Sequence, residues 1–356
     1  MSMQCDKKMT RVSGLIEVRP YVESDRAAWA SFVQACADAT FFHRIEWRDI
    51  IEDVFAHRTP YLLAERGGQI IGVLPMAHVK SVLFGHSLVS LPFAAHCGAA
   101  VTEEPARAEL HAAATELAQR LQVDHLELRN RVARELGWAQ QDLYVTFRKA
   151  ITSDTAANML TIPREQRAMV RRAVRRGLTS EVDPDVDRFF ELYADNVHRH
   201  GTPPFSKKYF ESLLRAFGDA CEVMTVVNAE GRPVSGALSF YFRDEVLPYY
   251  AGEIADARKL AANDFKYWEL MRRAGERGCR WCDFGRSKRG TGAFDFKTNW
   301  QFAPEPLHYE YQLFKRESVP QNNPSNPKYR ALIGLWRRLP RTVVNAVGPS
   351  IVRNLG

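Results

Sequence analysis

Residues 61–77 read YLLAERGGQIIGVLPMA, and residues 224–241 read MTVVNAEGRPVSGALSFY. Each is an apolar run, a polar turn containing glycine, and a second apolar run, which is the pattern of a β-hairpin. Gly67, Ile70, Gly72 and Leu74 match Gly231, Val234, Gly236 and Leu238 at one constant offset. Upstream, the pattern predicts an aromatic-led helix in each case, over residues 41–54 and 205–217. Downstream, Leu110, Ala114, Leu117 and Leu121 make one apolar helical stripe, and Tyr267, Leu270, Met271 and Ala274 make another. Each of those helices runs into a short strand, at residues 125–129 or 280–285. The order helix, hairpin, helix, strand occurs twice, which points to a duplicated mixed α/β unit with a ligand cleft between its halves.

At 356 residues the chain has room for two such units. Its 46% hydrophobic and 26% charged residues are those of a protein with a packed core. No stretch approaches the roughly 20 apolar residues of a membrane helix. Residues 1–12 lack the apolar segment of a secretory signal, so a cytoplasmic location is expected. The net charge of +7 is unevenly placed. Residues 318–356 hold no Asp or Glu and six cations: Lys328, Arg330, Arg337, Arg338, Arg341 and Arg353. Without them the remainder carries about +1, too little for general nucleic-acid binding by the body, and no DNA partner is expected.

Familiar catalytic and metal signatures are missing. The sequence has no HExxH, no GxSxG and no closed P-loop; residues 285–292 (GRSKRGTG) lack the final Gly-Lys-Ser/Thr. Cys279 and Cys282 have CxxC spacing but fall on or beside a strand, where side chains three apart face opposite ways, and no second pair completes a metal site. No metal is expected. The helix over residues 164–176 (REQRAMVRRAVRR) reads either as a solvated connector or as a cationic cleft wall.

One stretch is dense in chemistry. Residues 283–300 read DFGRSKRGTGAFDFKTNW. A strand ends at Gly285, and a glycine-rich loop with Arg286, Lys288 and Arg289 follows; such a loop brings N–H groups and cations to a phosphate, or is simply an exposed mobile segment. Then Lys297 stands among Phe294, Phe296 and Trp300. Aromatic flanks would bury its stem and leave the ammonium facing a cleft, where it could stabilise the oxyanion formed when an amine attacks an ester or thioester.

Phe296-Lys297-x-x-Trp300, after a strand ending Asp-Phe-Gly and before Pro306-Leu307-x-Tyr309, resembles the C-terminal signature of the FemAB-like proteins. Arg199-His200-Gly201-Thr202-Pro203, with Phe205-Ser206 and Tyr209-Phe210, resembles the start of that family's second domain. Residues 326–329, 336–340 and 348–349 are similar to the tail of a subgroup associated with PEP-CTERM/exosortase and exopolysaccharide loci. The resemblance covers roughly residues 15–315. It implies an α/β (α+β) fold of two tandem GNAT-like domains, each a mixed sheet flanked by helices, followed by a C-terminal helical tail. The expected boundaries are 1–155, 156–316 and 317–356.

The resemblance also implies acyl transfer to an amine, here of a cell-envelope or exopolysaccharide precursor, with Lys297 at the reaction centre. Arg199, His200, Arg286, Lys288, Arg289, Phe296 and Trp300 are the expected substrate-binding residues. His43, Arg44 and Trp47 would complete the acceptor pocket from the first half; their plain reading is one polar face of a surface helix. The long coiled-coil arm of some members is absent, and so is the Q/R-x-x-G-x-G/A signature for CoA. The co-substrate stays open between acyl-CoA, acyl carrier protein and aminoacyl-tRNA, the last without support from the body's charge. The acceptor partner would be a phosphorylated small molecule or a lipid-linked sugar. A non-catalytic module that presents such a precursor is the competing reading, and RNA binding through residues 164–176 is a third.

In the tail, Pro320, Pro324 and Pro327 suggest a stiff linker. Tyr329, Leu332, Ile333, Trp336 and Leu339 then form a stripe beside Arg330, Arg337, Arg338 and Arg341. That stripe suits peripheral contact through residues 328–341 with an anionic membrane at the inner face, or docking on the protein's own body.

Overall fold

A computed structural model describes residues 14–81, 85–320 and 333–354. The first part of the chain runs β1 (Glu17–Pro20), α1 (Arg26–Ala35), α2 (Glu46–Phe55), β2 (Leu62–Arg66), β3 (Gln69–Leu74), β4 (Ala77–Ser81), β5 (Gly85–Val89), β6 (Ala100–Val101), α3 (Glu104–Arg120), β7 (His125–Asn130), β8 (Ala139–Gln141) and β9 (Tyr144–Ala150). The second runs α4 (Thr155–Leu160), α5 (Arg164–Arg175), β10 (Thr179–Asp183), α6 (Asp187–His200), α7 (Lys207–Phe217), β11 (Cys221–Val227), β12 (Pro233–Phe242) and β13 (Glu245–Glu253). It continues through α8 (Ala257–Leu260), α9 (Ala262–Glu276), β14 (Trp281–Asp283), β15 (Ser287–Lys288), α10 (Gly292–Asn299), β16 (Pro304–Pro306) and β17 (His308–Leu313), with α11 (Arg341–Val352) in the tail.

The two quoted stretches are hairpins, β2–β3 and β11–β12. Gly67 and Gly231 both turn with positive φ, at 57° and 72°. Gly72 and Gly236 are close-approach positions. A Cβ on Gly72 would meet Val101 at 2.9 Å and Leu110 of α3 at 3.0 Å; one on Gly236 would meet Leu192 of α6 at 3.3 Å. In each half a crossover helix then returns to a parallel strand pair, β5 with β7 through α3 and β13 with β14 through α9.

The halves exchange strands. On its other flank β7 pairs antiparallel with β17, from the end of the chain, and β14 pairs antiparallel with β9, from its middle. A cut at residue 155 leaves β9 with the first part of the sequence, yet its ladders lie in the large sheet β10-β11-β12-β13-β14-β9-β15, which also takes β16 on β9. Two smaller sheets, β1-β2-β3-β6 and β4-β5-β7-β17-β8, are built from strands of the first part together with β17.

Aromatic packing joins the halves as well. Phe41, in the short turn before α2, stacks on Phe240 of β12 at 4.3 Å and meets Phe217 of α7 at 4.6 Å. Burying such rings contributes about 1.5–3 kcal/mol each. The predicted helix over residues 41–54 is thus a one-turn 3-10 segment at Phe41–His43 followed by α2.

Of the tail stripe, Tyr329 and Leu332 lie outside the described residues, as do Lys328, Arg330, Pro324 and Pro327 and the first twelve residues. The described tail rests on the body. Val344 is fully buried, Gly348 packs on Pro204, Arg341 pairs with Glu191 of α6 at 2.9 Å, and His57 of the first half hydrogen-bonds the Arg353 carbonyl at 2.7 Å. Among the described residues no helix is long and apolar enough to cross a membrane. Cys279 and Cys282 are buried, free thiols.

Candidate functional site

The parallel pair β13–β14 is short. Its ladder holds only Glu245 with Trp281 and Val246 with Cys282. Two features of β13 end it. Pro248 has no N–H to give to a neighbour. Tyr249 is an extra residue against β12, where Leu238 faces Tyr250 and Ser239 faces Pro248, and such a bulge bends its strand. The chain at Phe284 stays with β9 instead, its N–H donating to the Phe147 carbonyl at 2.8 Å. From Tyr249 to Glu253, β13 therefore has no described strand beside it on that flank, and a gap opens between the two strands.

Lys297 lies at this gap. Thr291 caps α10, its hydroxyl accepting from the Phe294 N–H, and positions 294, 297 and 300 then share one helix face. Phe294 packs on Phe147, Phe296 on Tyr267, and Trp300 is buried with its Nε1 donating to Asp264 at 3.3 Å. The aromatic flanks do bury the lysine stem, but they take the ammonium in too: Lys297 is 6% exposed. Its Nζ donates to the Phe284 carbonyl at 2.5 Å and to the Gly285 carbonyl at 2.9 Å. Burial pushes its pKa down to about 8, with Asp283 and Cys282 opposing the shift. A protonated lysine has three N–H groups, and the third meets no acceptor among the described residues. Nearby, burial raises the Asp264 carboxyl to about 6 and lowers Lys266 to about 8. Nothing in the spacing of residues 261–267 marked these two groups.

Arg286 follows at the strand end and turns into the seam between the halves. Its guanidinium lies 4.7 Å from the Tyr144 ring centre and donates to the Tyr309 hydroxyl at 3.0 Å, which itself donates to the Ala95 carbonyl at 2.6 Å. Tyr249 reaches the same seam, donating to the Phe93 carbonyl at 2.6 Å. Phe296 and Trp300 pack on Tyr267 of α9 behind Lys297, while Arg286 faces the seam. Tyr309 belongs to the quoted motif, and Tyr144 and Tyr249 had no sequence mark.

The other expected residues stand elsewhere. The glycine-rich segment is pinned: Ser287 and Lys288 form β15 against β9, and Arg289 gives its N–H to the Leu143 carbonyl and its Nε to the Asp142 carbonyl. Those groups are committed to the sheet and do not form an open phosphate cradle. Arg199 pairs with Asp195 at 2.9 Å and bonds the Glu253 carbonyl at the far end of β13. His200 is exposed at the end of α6, its carbonyl accepting from Arg337 of the tail. His43, Arg44 and Trp47 are not one polar helix face. His43 is buried in the turn before α2, Nδ1 accepting from the Thr40 N–H and Nε2 donating to the Gly98 carbonyl at 2.8 Å, and burial lowers its pKa to about 4. Arg44 pairs with Glu46 and covers Phe217. Trp47 is buried in the aromatic cluster, against Phe217 and Phe240.

A family model described as an acetyltransferase (GNAT) domain matches residues 164–298, from the start of α5 to the residue after Lys297. No curated protein gives a significant match. Among solved structures, FemX is similar with a TM-score of 0.65 at 15% identity, over 89% of this chain and 100% of its own. A tandem GNAT protein from the clavulanic acid biosynthesis pathway gives 0.54 at 13% identity, over 86% of this chain and 100% of its own. The fold is a tandem GNAT fold. L-PGS from Bacillus licheniformis is also similar, with a TM-score of 0.54 at 14% identity over 89% of this chain and 96% of its own. The segment that the family model matches carries the β13–β14 gap, α9 and Lys297.

Proposed function

We propose that the protein is an acyltransferase that moves an acyl or aminoacyl group onto an amine, with Lys297 as its oxyanion-stabilising residue. The observation that carries this is the buried ammonium of Lys297, held by two strand-end carbonyls beside the β13–β14 gap, with no third acceptor among the described residues. In the reaction the amine nitrogen attacks the acyl carbon and the C–N bond forms. The carbonyl oxygen takes up the electron pair as an oxyanion. That oxygen accepts from Lys297, in a setting where a fixed cation acts far more strongly than in water. Collapse breaks the C–S or C–O bond to the donor, and the leaving sulfur or oxygen takes the proton that the amine gives up.

Two similar structures agree with this reading: FemX, and a tandem GNAT protein from the clavulanic acid biosynthesis pathway solved without AcCoA. The donor is an acyl-CoA, an acyl carrier protein thioester or an aminoacyl-tRNA. The acceptor is an amine on a phosphorylated or lipid-linked envelope precursor, and the sequence resemblance favours one destined for exopolysaccharide. The protein would act in the cytoplasm, at or near the inner membrane face. Wild type offered each donor class with an amino-sugar nucleotide should form an amide detectable by mass. Failure of all three donor classes would remove the proposal.

A further inference from the structure

A second polar recess lies at the start of β13, where the β12–β13 turn meets the first half. Its volume is about 210 Å³. A cavity of about 150 Å³ holds a benzene ring, so a ring-sized molecule fits. The walls are charged, and nearly every charge has a partner. Arg131 pairs with Glu305 at 3.0 Å, and Arg148 pairs with Glu245 at 2.5 Å. Arg243 donates to the carbonyls of Val33, Gln34 and Cys36. The acids that face the recess are likewise engaged, Asp38 by Arg107 and Asp244 by Arg280. His43 is committed through both ring nitrogens.

Two side chains are left over. Among the described residues Arg134 has no hydrogen-bond or ion-pair partner, and its Nε is enclosed. His96 is 3% exposed and lines the same recess; its imidazole bonds its own backbone, and no other described residue hydrogen-bonds it. Burial lowers its pKa to about 3, so the ring is neutral at ordinary pH. Buried donors left unpaired are costly, and a guanidinium fork matches the oxygens of a carboxylate or phosphate.

We propose that this recess binds a ring-sized molecule bearing an oxyanion, with Arg134 holding the anionic group and His96 supplying a neutral hydrogen bond to the ring. The site draws on both halves and stands whether or not Lys297 transfers an acyl group.

The test is calorimetric titration of the full chain with glucose 6-phosphate, glucuronate and glucose. The two anionic sugars separate phosphate from carboxylate as the group held, and glucose is the uncharged control. Wild type should bind at least one anionic sugar and not glucose. Arg134→Gln should weaken that binding by roughly tenfold or more, the loss of a charge-assisted bidentate pair. His96→Gln should weaken it less. Arg172→Gln, on the exposed face of α5, should leave it unchanged. Arg134 bonds to none of the described residues, so its replacement should leave the unfolding temperature in place, which a thermal melt checks. Absence of binding by either anionic sugar, equal binding of glucose, or undiminished binding by folded Arg134→Gln would each overturn the proposal.

Discussion

Replacing Lys297 by Met keeps the length and apolar stem of the side chain and removes only the ammonium. The buried Nζ has its pKa moved from 10.5 to about 8. At 1.36 kcal/mol per pH unit, that gap corresponds to about 3 kcal/mol. The sign follows from proton binding. Between about pH 8 and 10.5 the unfolded chain still holds this proton while the folded chain has lost it, so folding gains stability as pH rises through that window. Below about pH 8 both states are charged, and the full penalty of burying the cation is present. Urea unfolding of wild type and Lys297→Met across this range cancels the groups common to both proteins. The stability of wild type relative to the variant should therefore climb by about 3 kcal/mol from pH 8 to 10.5. A difference that stays flat would mean that the ammonium is not held in a dry site, and the electrostatic role given to it would fall.

Two further outcomes follow from the packing. A Cβ on Gly252 of β13 would stand 2.3 Å from the Tyr193 N of α6, so Gly252→Ala should destabilise by about 1–3 kcal/mol in the same unfolding assay. The tail should contribute both to stability and to surface binding. A 1–318 truncation should lower the melting temperature, because Val344 and the His57–Arg353 contact are lost. It should also pellet less with anionic vesicles if Leu335, Val343 and Val347, all exposed, meet lipid beside Arg338 and Arg341; equal pelleting would leave the tail with docking alone.

The duplication was legible because glycine leaves positional marks. Gly67 and Gly231 mark turns, and Gly72 and Gly236 mark close approaches to a helix, so the hairpins could be aligned. The exchange of β9 and β17 was not legible. A seven-residue strand such as Tyr144–Ala150 buries Val145, Thr146 and Phe147 in a row, and nothing in that run names the sheet it will join. The burial of the Lys297 stem was legible because Phe294, Phe296 and Trp300 stand beside it in the sequence. The carbonyl partners of Lys297 were not, since any backbone offers carbonyls. The glycine-rich segment misled for the converse reason. Gly285 and Gly290 do turn with positive φ, but the ladder of Ser287 and Lys288 to β9 holds the segment between them. His43 and Trp47 looked polar or amphipathic by residue type, and tertiary packing buried both. His96 and Arg134 carried no sequence signal, because the recess they line forms only when residues 96–134 meet the β12–β13 turn.

Acyl transfer at the β13–β14 gap is tested most directly by the rate of amide formation in wild type and Lys297→Met, measured by mass on one donor and amine pair. Loss of an oxyanion donor should slow the folded variant by about 10²–10³-fold with substrate binding little changed. An unchanged rate in a folded Lys297→Met protein would contradict it.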